Sequence, residues 1–181
     1  QRSSAVLADA VTHNAAISAC EAGQRWELAL ALLGGMRRGG GRPDAYTYSG
    51  LISACGRGLH SEAALRLLRE MAQQRVAGSV VAYNASITAS GAAQRWEEAL
   101  ELMFEARQHA HVPDLVTYNA AISACASGRR WEFALGLLGA LRGAALLPDA
   151  ATRTAAIGAC GVGRRWRGAL ALLSALRGPG G

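Results

Sequence analysis

Residues 114–149 read DLVTYNAAISACASGRRWEFALGLLGALRGAALLPD. The NAAISAC segment inside this stretch, at 119–125, occurs verbatim at 14–20. SGLISAC, NASITAS and TAAIGAC fill the same place at 49–55, 84–90 and 154–160. A fixed period of 35 residues marks an array of repeats. Units starting at Ala10 and Leu115 match at 21 of 35 positions without a gap. Trp26, Trp96, Trp131 and Trp166 fall in register, with Ser61 in the remaining slot. Pro43, Pro113 and Pro148 close their units, and Gly78 stands in their place in the other. The units are therefore 10–44, 45–79, 80–114, 115–149 and a shortened 150–181. Residues 1–9 align with the end of a preceding unit, with Asp9 in the slot of Asp44. The array is expected to continue in both directions.

Each unit reads as two helices. Asp44 suits an N-cap, and Tyr48, Leu51, Ile52 and Cys55 follow at helical spacing. Gly58 stands where a C′ glycine ends a helix, and Gly23, Gly128 and Gly163 share its slot. Trp26, Ala29, Leu30, Leu32, Leu33 and Met36 then form a second apolar stripe. A lone hairpin cannot bury both stripes, whereas stacked hairpins can. The expected fold is all-α, a right-handed superhelical solenoid of helix-turn-helix repeats. The Trp residues and the Ala29-type alanines are its packing elements.

Composition narrows the function. The chain has 181 residues, 51% of them hydrophobic, which excludes whole-chain disorder. No run approaches the roughly 20 apolar residues of a membrane helix. The opening QRSSAVLAD has neither an initiator Met nor the apolar core of a secretory signal, so the chain reads as part of a longer protein. All 19 basic residues are Arg and the net charge is +6, which favours a polyanionic partner, nucleic acid first. Cys20, Cys55, Cys125 and Cys160 are spaced by 35, 70 and 35 residues, with no C-x-x-C or Cys/His cluster. That is not metal-ligand spacing, and the four read as small buried thiols. His13, His60, His109 and His111 form no catalytic or metal constellation. No nucleophile–base pair or phosphate-cradling loop is present. The expectation is no catalytic residue, no metal, no cofactor and no small-molecule substrate.

The stretch 114–149 resembles the pentatricopeptide repeat in its 35-residue P-type form. The resemblance lies in the VTYN opening, the I-x-A-C helix, the glycine turn, the W-E-x-A-L-x-L-L helix and the closing P-D, and it covers essentially the whole chain. It implies binding of single-stranded RNA in a mitochondrion or plastid, in processing, stability, editing or translation of transcripts. It also implies one base per repeat, selected by the fifth and last residues of each unit. Those pairs are Asn14 with Asp44, Ser49 with Ser79, Asn84 with Asp114, and Asn119 with Asp149; Thr154 opens a fifth. The second residues, Val11, Tyr46, Val81, Val116 and Ala151, would sandwich the bases. Asn with Asp implies uridine and Thr with Asp guanosine, so the implied target is U-N-U-U followed by a purine, a U-rich strand.

The residues make sense of this assignment by themselves. The second, fifth and ninth positions lie at i, i+3 and i+7, on one stripe beside the Tyr48/Ile52/Cys55 core stripe. An Asn amide offers both a donor and an acceptor to a base edge. Asp44, Asp114 and Asp149 also suit N-caps, and Tyr48, Tyr83 and Tyr118 belong to the core. Phosphate contacts look sparse. Family members often carry Lys at the thirteenth position, where this chain has Ala22, Arg57, Ala92, Ser127 and Val162, so only Arg57 fits. The other cations, Arg25, Arg95, Arg129, Arg130, Arg164 and Arg165, start the second helices. Those Arg-rich helices leave an alternative open, a protein-interaction scaffold of the tetratricopeptide kind docking an acidic partner. The W-x2-L-G-x2-Y signature of that family is absent.

Overall fold

A computed structural model describes residues 2–76 and 78–162, with side-chain surroundings for 10–76 and 78–161. Among the described residues there are nine α-helices and no strand. The first helices of the units are α1 (Arg2–Ala22), α3 (Ala45–Arg57), α5 (Val80–Ala92), α7 (Leu115–Ser127) and α9 (Ala150–Val162). The second helices are α2 (Trp26–Arg38), α4 (Ser61–Gln73), α6 (Trp96–Gln108) and α8 (Trp131–Gly143). From α2 onward every helix has 13 residues and starts at the first or seventeenth position of its unit. The architecture is an all-α helical-repeat solenoid. The second helix expected in the fifth unit, with Gly163, Arg164, Arg165 and Trp166, lies outside the described residues.

One boundary differs from the sequence reading. The first helix does not begin after Asp9; it runs unbroken from Arg2 through Ala22. Ala8 stands where Pro43, Pro113 and Pro148 precede the other caps. Without that proline nothing stops helix formation ahead of Asp9.

The chain divides into two compact units, Gln1–Ala89 and Ser90–Gly181. In the first, α3 packs against α1, α2 and α4. Ile17, Leu33, Met36, Leu51, Ile52, Cys55, Leu68 and Met71 are buried there. Tyr48 is buried too, and its hydroxyl donates to Glu70 at 2.7 Å while Arg37 donates to both. In the second, α7 packs against α6, α8 and α9. Its core gathers Ile122, Cys125, Ala134, Leu138, Ala156 and Ala159. Burial pushes the Cys55 and Cys125 thiols up to about 11 and raises that of Cys160. Cys20 is half-buried rather than buried like the other three.

The turns also differ from expectation. Gly58 and Gly128 have φ of −78° and −77°, ordinary helical values. The left-handed residue is the next one, Leu59 at φ 61° and Arg129 at φ 60°; Gln24 and Gln94 take the same place. His60 N–H bonds Cys55 O, and Leu59 N–H bonds Gly56 O. That is a Schellman turn with a non-glycine C′ residue. The glycine serves a different purpose, close approach. A Cβ on Gly58 would stand 2.8 Å from Trp26 Cδ1, and one on Gly128 2.4 Å from Trp96 Cδ1. Trp26 and Trp96 thus lie on the turn of the following repeat. Trp26, Trp96 and Trp131 are half-buried, and Trp131 packs against the Ile122/Cys125/Leu138 core. Trp26 stacks on His60 at 3.8 Å, Trp96 meets Phe133 at 5.3 Å, and the Arg130 guanidinium covers the Trp96 ring at 4.6 Å.

Candidate nucleic-acid interface

The site is built on the first turns of the first helices. Asp44 has extended backbone, and its carboxylate accepts from Thr47 N–H at 2.8 Å. Asp44 N–H in turn donates to Thr47 Oγ1 at 3.2 Å, which completes a capping box. Asp114 with Thr117 and Asp149 with Thr152 repeat this arrangement. Asp-x-x-Thr therefore starts α3, α7 and α9, and the threonines are buried. Ser79 caps α5 by accepting from Ala82 N–H at 3.1 Å.

Of these caps, Asp44 and Asp149 reach back 30 residues, to the fifth residue of the unit that each of them closes. Asn14 Nδ2 donates to the Asp44 carboxylate at 3.4 and 3.5 Å. Thr47 Oγ1 lies 2.7 Å from Asn14 Oδ1 and 2.8 Å from Asp44 Oδ1, and its proton serves both acceptors. In the second unit Asn119 Nδ2 donates to Asp149 at 3.3 and 3.2 Å, and Thr152 donates to Asn119 Oδ1. Each of these amides spends one N–H and one lone pair on the protein. One N–H and one lone pair remain for a ligand.

The carboxylates are tuned accordingly. Burial works against the charged form of Asp44, but hydrogen bonds from Thr47, Asn14 and the Tyr46 N–H outweigh it and hold its pKa below the usual range. For Asp149 the Thr152 N–H and hydroxyl are the leading cause of the same downward shift. Both stay ionised at neutral pH.

The second pair is built differently. Ser49 Oγ and Ser79 Oγ lie 2.7 Å apart. They line a cleft of about 430 Å³ together with Tyr46, Val81, Ser18, Glu21 and Ser53. The second residues of repeats two and three, Tyr46 and Val81, thus wall the same cleft as the Ser49/Ser79 pair. Val11, Tyr46, Val81 and Val116 are 58–67% exposed, far more than isolated packing residues would be, and Ala151 is exposed as well. Of the third pair, Asn84 is buried and Asp114 caps α7. Thr154 is exposed and donates to Ala150 O at 2.8 Å. Tyr83 and Tyr118 are buried, as Tyr48 is.

Arg57 carries an ion pair with Glu21 at 3.2 Å. A phosphate at Arg57 must compete with that carboxylate. Arg95 pairs with Glu98 at 3.9 Å. Among the described residues no group of three or more His, Cys, Asp or Glu is placed to hold a metal, and no helix is long and apolar enough to cross a membrane. Sequence reasoning missed Thr47 and Thr152, which tie Asn14 to Asp44 and Asn119 to Asp149, and Thr117, which holds Asp114. The D-x-x-T spacing at 44–47, 114–117 and 149–152 was the available signal.

Family models match along the array: a PPR repeat family over residues 8–57, a pentatricopeptide repeat domain over 64–129, and a PPR repeat over 46–76 and 116–144. The chain belongs to the pentatricopeptide repeat family. No curated protein sequence matches it. The solved structure of the pentatricopeptide repeat protein PPR10 from maize is 32% identical, with a TM-score of 0.73 over 93% of this chain and 24% of that one. PPR10 in complex with an 18-nucleotide psaJ RNA element gives 0.77 at 23% identity, over 92% and 24%. The PPR domain of Arabidopsis thaliana protein-only RNase P 1 in complex with tRNA gives 0.79 at 17% identity, over 93% and 89%. The last two likenesses speak for the fold. The chain spans about a quarter of the length of PPR10.

Proposed function

We propose that this chain binds single-stranded RNA, one base per repeat, with no catalysis of its own. One observation carries the reading. The fifth and last residues of a repeat are hydrogen-bonded to each other, the Asn–Asp pairs with donor and acceptor capacity left over and the Ser49/Ser79 pair with acceptor capacity, beside exposed second residues. Nothing in the packing of the helices requires exposed valines and a tyrosine at one recurrent position. A base between two such side chains accounts for them.

An Asn amide with one N–H and one lone pair unspent complements uracil, which presents a ring N–H beside a carbonyl. Slots served by Asn14/Asp44 and Asn119/Asp149 therefore take uridine, and Asn84/Asp114 carries the same side chains. Thr154 serves a fifth slot, where the family rule gives a purine. Membership in the family supports a role in organellar transcript processing, stability, editing or translation, in a mitochondrion or plastid. Family structures bound to RNA point to the same partner class.

Cations at the interface are few, because Arg57 is already paired with Glu21. Each phosphate contact adds about −0.7 to the log–log salt slope, so a slope of only about −2 to −3 is expected. The test is titration with matched single-stranded and duplex RNA at two salt concentrations. Preference for the single strand supports the reading. Equal binding reduces the site to a nonspecific basic surface, and capture of an acidic peptide in preference to RNA would make the array a protein scaffold.

A further inference from the structure

The cleft between Tyr46 and Val81 differs from the Asn–Asp slots in its hydrogen-bond chemistry. Ser49 Oγ donates to Ala45 O at 2.7 Å. Its remaining close neighbour is Ser79 Oγ at 2.7 Å. Ser79 Oγ also accepts from Ala82 N–H at 3.1 Å. Each hydroxyl has one proton and two lone pairs. The arrangement that satisfies all three contacts has Ser79 donating to Ser49 and Ser49 donating to the Ala45 carbonyl. Both protons are then spent inside the protein. What each oxygen still offers the cleft is one lone pair. Two acceptors stand side by side, with no donor between them.

We propose that this slot selects guanine, and that Ser49 and Ser79 determine the choice. The inference rests on the one-base-per-repeat reading and names the base for the second repeat. Guanine alone among the four bases presents two adjacent donors, N1–H and the N2 amino group, on its pairing edge. Uracil presents a single N–H between two carbonyl oxygens, which would face oxygen lone pairs. Adenine and cytosine each bring one amino group beside a ring acceptor. The other polar walls agree. Glu21, held by Arg57 at 3.2 Å, is a further acceptor on the cleft wall. The Ser18 and Tyr46 hydroxyls lie 3.3 Å apart, and that pair retains one proton for an acceptor such as guanine O6. Tyr46 replaces the valine found in this position in the first, third and fourth repeats, which adds an aromatic face on which a purine stacks.

The experiment is competition binding of the 181-residue chain with four short single strands carrying U-X-U-U-G, where X is each base in turn. The same set is run on Ser49→Ala and Ser79→Ala, with a second series varied at the fourth base. G at the second base should bind about tenfold tighter than U, with A and C between. Both serine variants should lose that preference and keep discrimination at the fourth base. Circular dichroism checks that Ser79→Ala, which also loses a cap, remains folded; Ser49→Ala leaves the cap untouched. If the second base is read indifferently, or U binds best, while the fourth is still discriminated, the guanine assignment is wrong and the base-per-repeat reading stands. Indifference at both positions overturns the two together.

Discussion

Gly128→Ala probes the seam between a tryptophan and the turn of the next repeat. A Cβ there would stand 2.4 Å from Trp96 Cδ1, 2.6 Å from Cγ and 2.9 Å from Cβ. These are the near atoms of the side chain, so the ring cannot swing its tip aside to make room. The backbone gives no reason for a penalty, since φ at 128 is −77°. By propensity alone Ala would gain up to about 1 kcal/mol over Gly. Overpacking costs about 1–3 kcal/mol, and contacts this short sit at the upper end, leaving a net loss of about 2 kcal/mol. For a chain of this size that lowers Tm by about 4–8 °C. In a Trp96→Ala background the clash is gone, and Gly128→Ala should become neutral or stabilising. The double-mutant cycle, read by thermal and urea melts followed at the helix signal, should show a coupling of about 2 kcal/mol or more. Gly139→Ala is the control, because its Cβ would meet nothing within 4 Å and Ala should stabilise α8. If Gly128→Ala is neutral with Trp96 intact, the glycine is not there for the tryptophan.

Ser86 is buried and its hydroxyl has no partner among the described residues, while Ala16, Leu51, Ala121 and Ala156 fill its slot elsewhere. Ser86→Ala should therefore raise stability by about 1–2 kcal/mol in a urea melt. Ala145 sits at φ 58°, so Ala145→Gly should gain about 1 kcal/mol by the same assay, and a loss would contradict the left-handed turn. Asp44 and Asp149 have folded pKa values below the unfolded value of about 3.9. A depressed carboxylate adds stability above the unfolded pKa and loses it as pH falls through the lower folded value. Stability attributable to these caps should hold from pH 7 to about 5 and fall below about 4, and Asp149→Asn should shrink that fall. A decline centred near pH 6 would point to other groups.

The array was legible because its period is free of gaps, so each slot was read several times over. The two-helix units and the buried tyrosines followed from that register, and the pairing of fifth with last residues from the family resemblance. What escaped depends on a neighbour that the periodic pattern does not display. Gly58 looked like a left-handed cap, yet the ring of Trp26 from the previous repeat occupies the space, and Leu59 takes the left-handed turn. The tryptophans read as packing elements, but nothing in the pattern says that Trp26 and Trp96 pack on the turn of the next repeat. Thr47 reads as an ordinary first-turn residue; only the folded pair shows its hydroxyl between Asp44 and Asn14. The Glu21–Arg57 pair was invisible because Glu21 has no counterpart: Gly56, Gly91, Ala126 and Gly161 hold its slot. Non-periodic residues were where the sequence said least.

The central claim is that Asn119 reads a base. Its direct measurement is competition binding of four single strands differing only at the fourth base, to the wild type and to Asn119→Thr. The wild type should prefer U by about 1–3 kcal/mol, and the variant should shift towards G. Preferences at the other positions should be unchanged, because repeats touch only their neighbours. If the two proteins rank the four bases identically, the Asn119/Asp149 pair is a structural cap and not a reader.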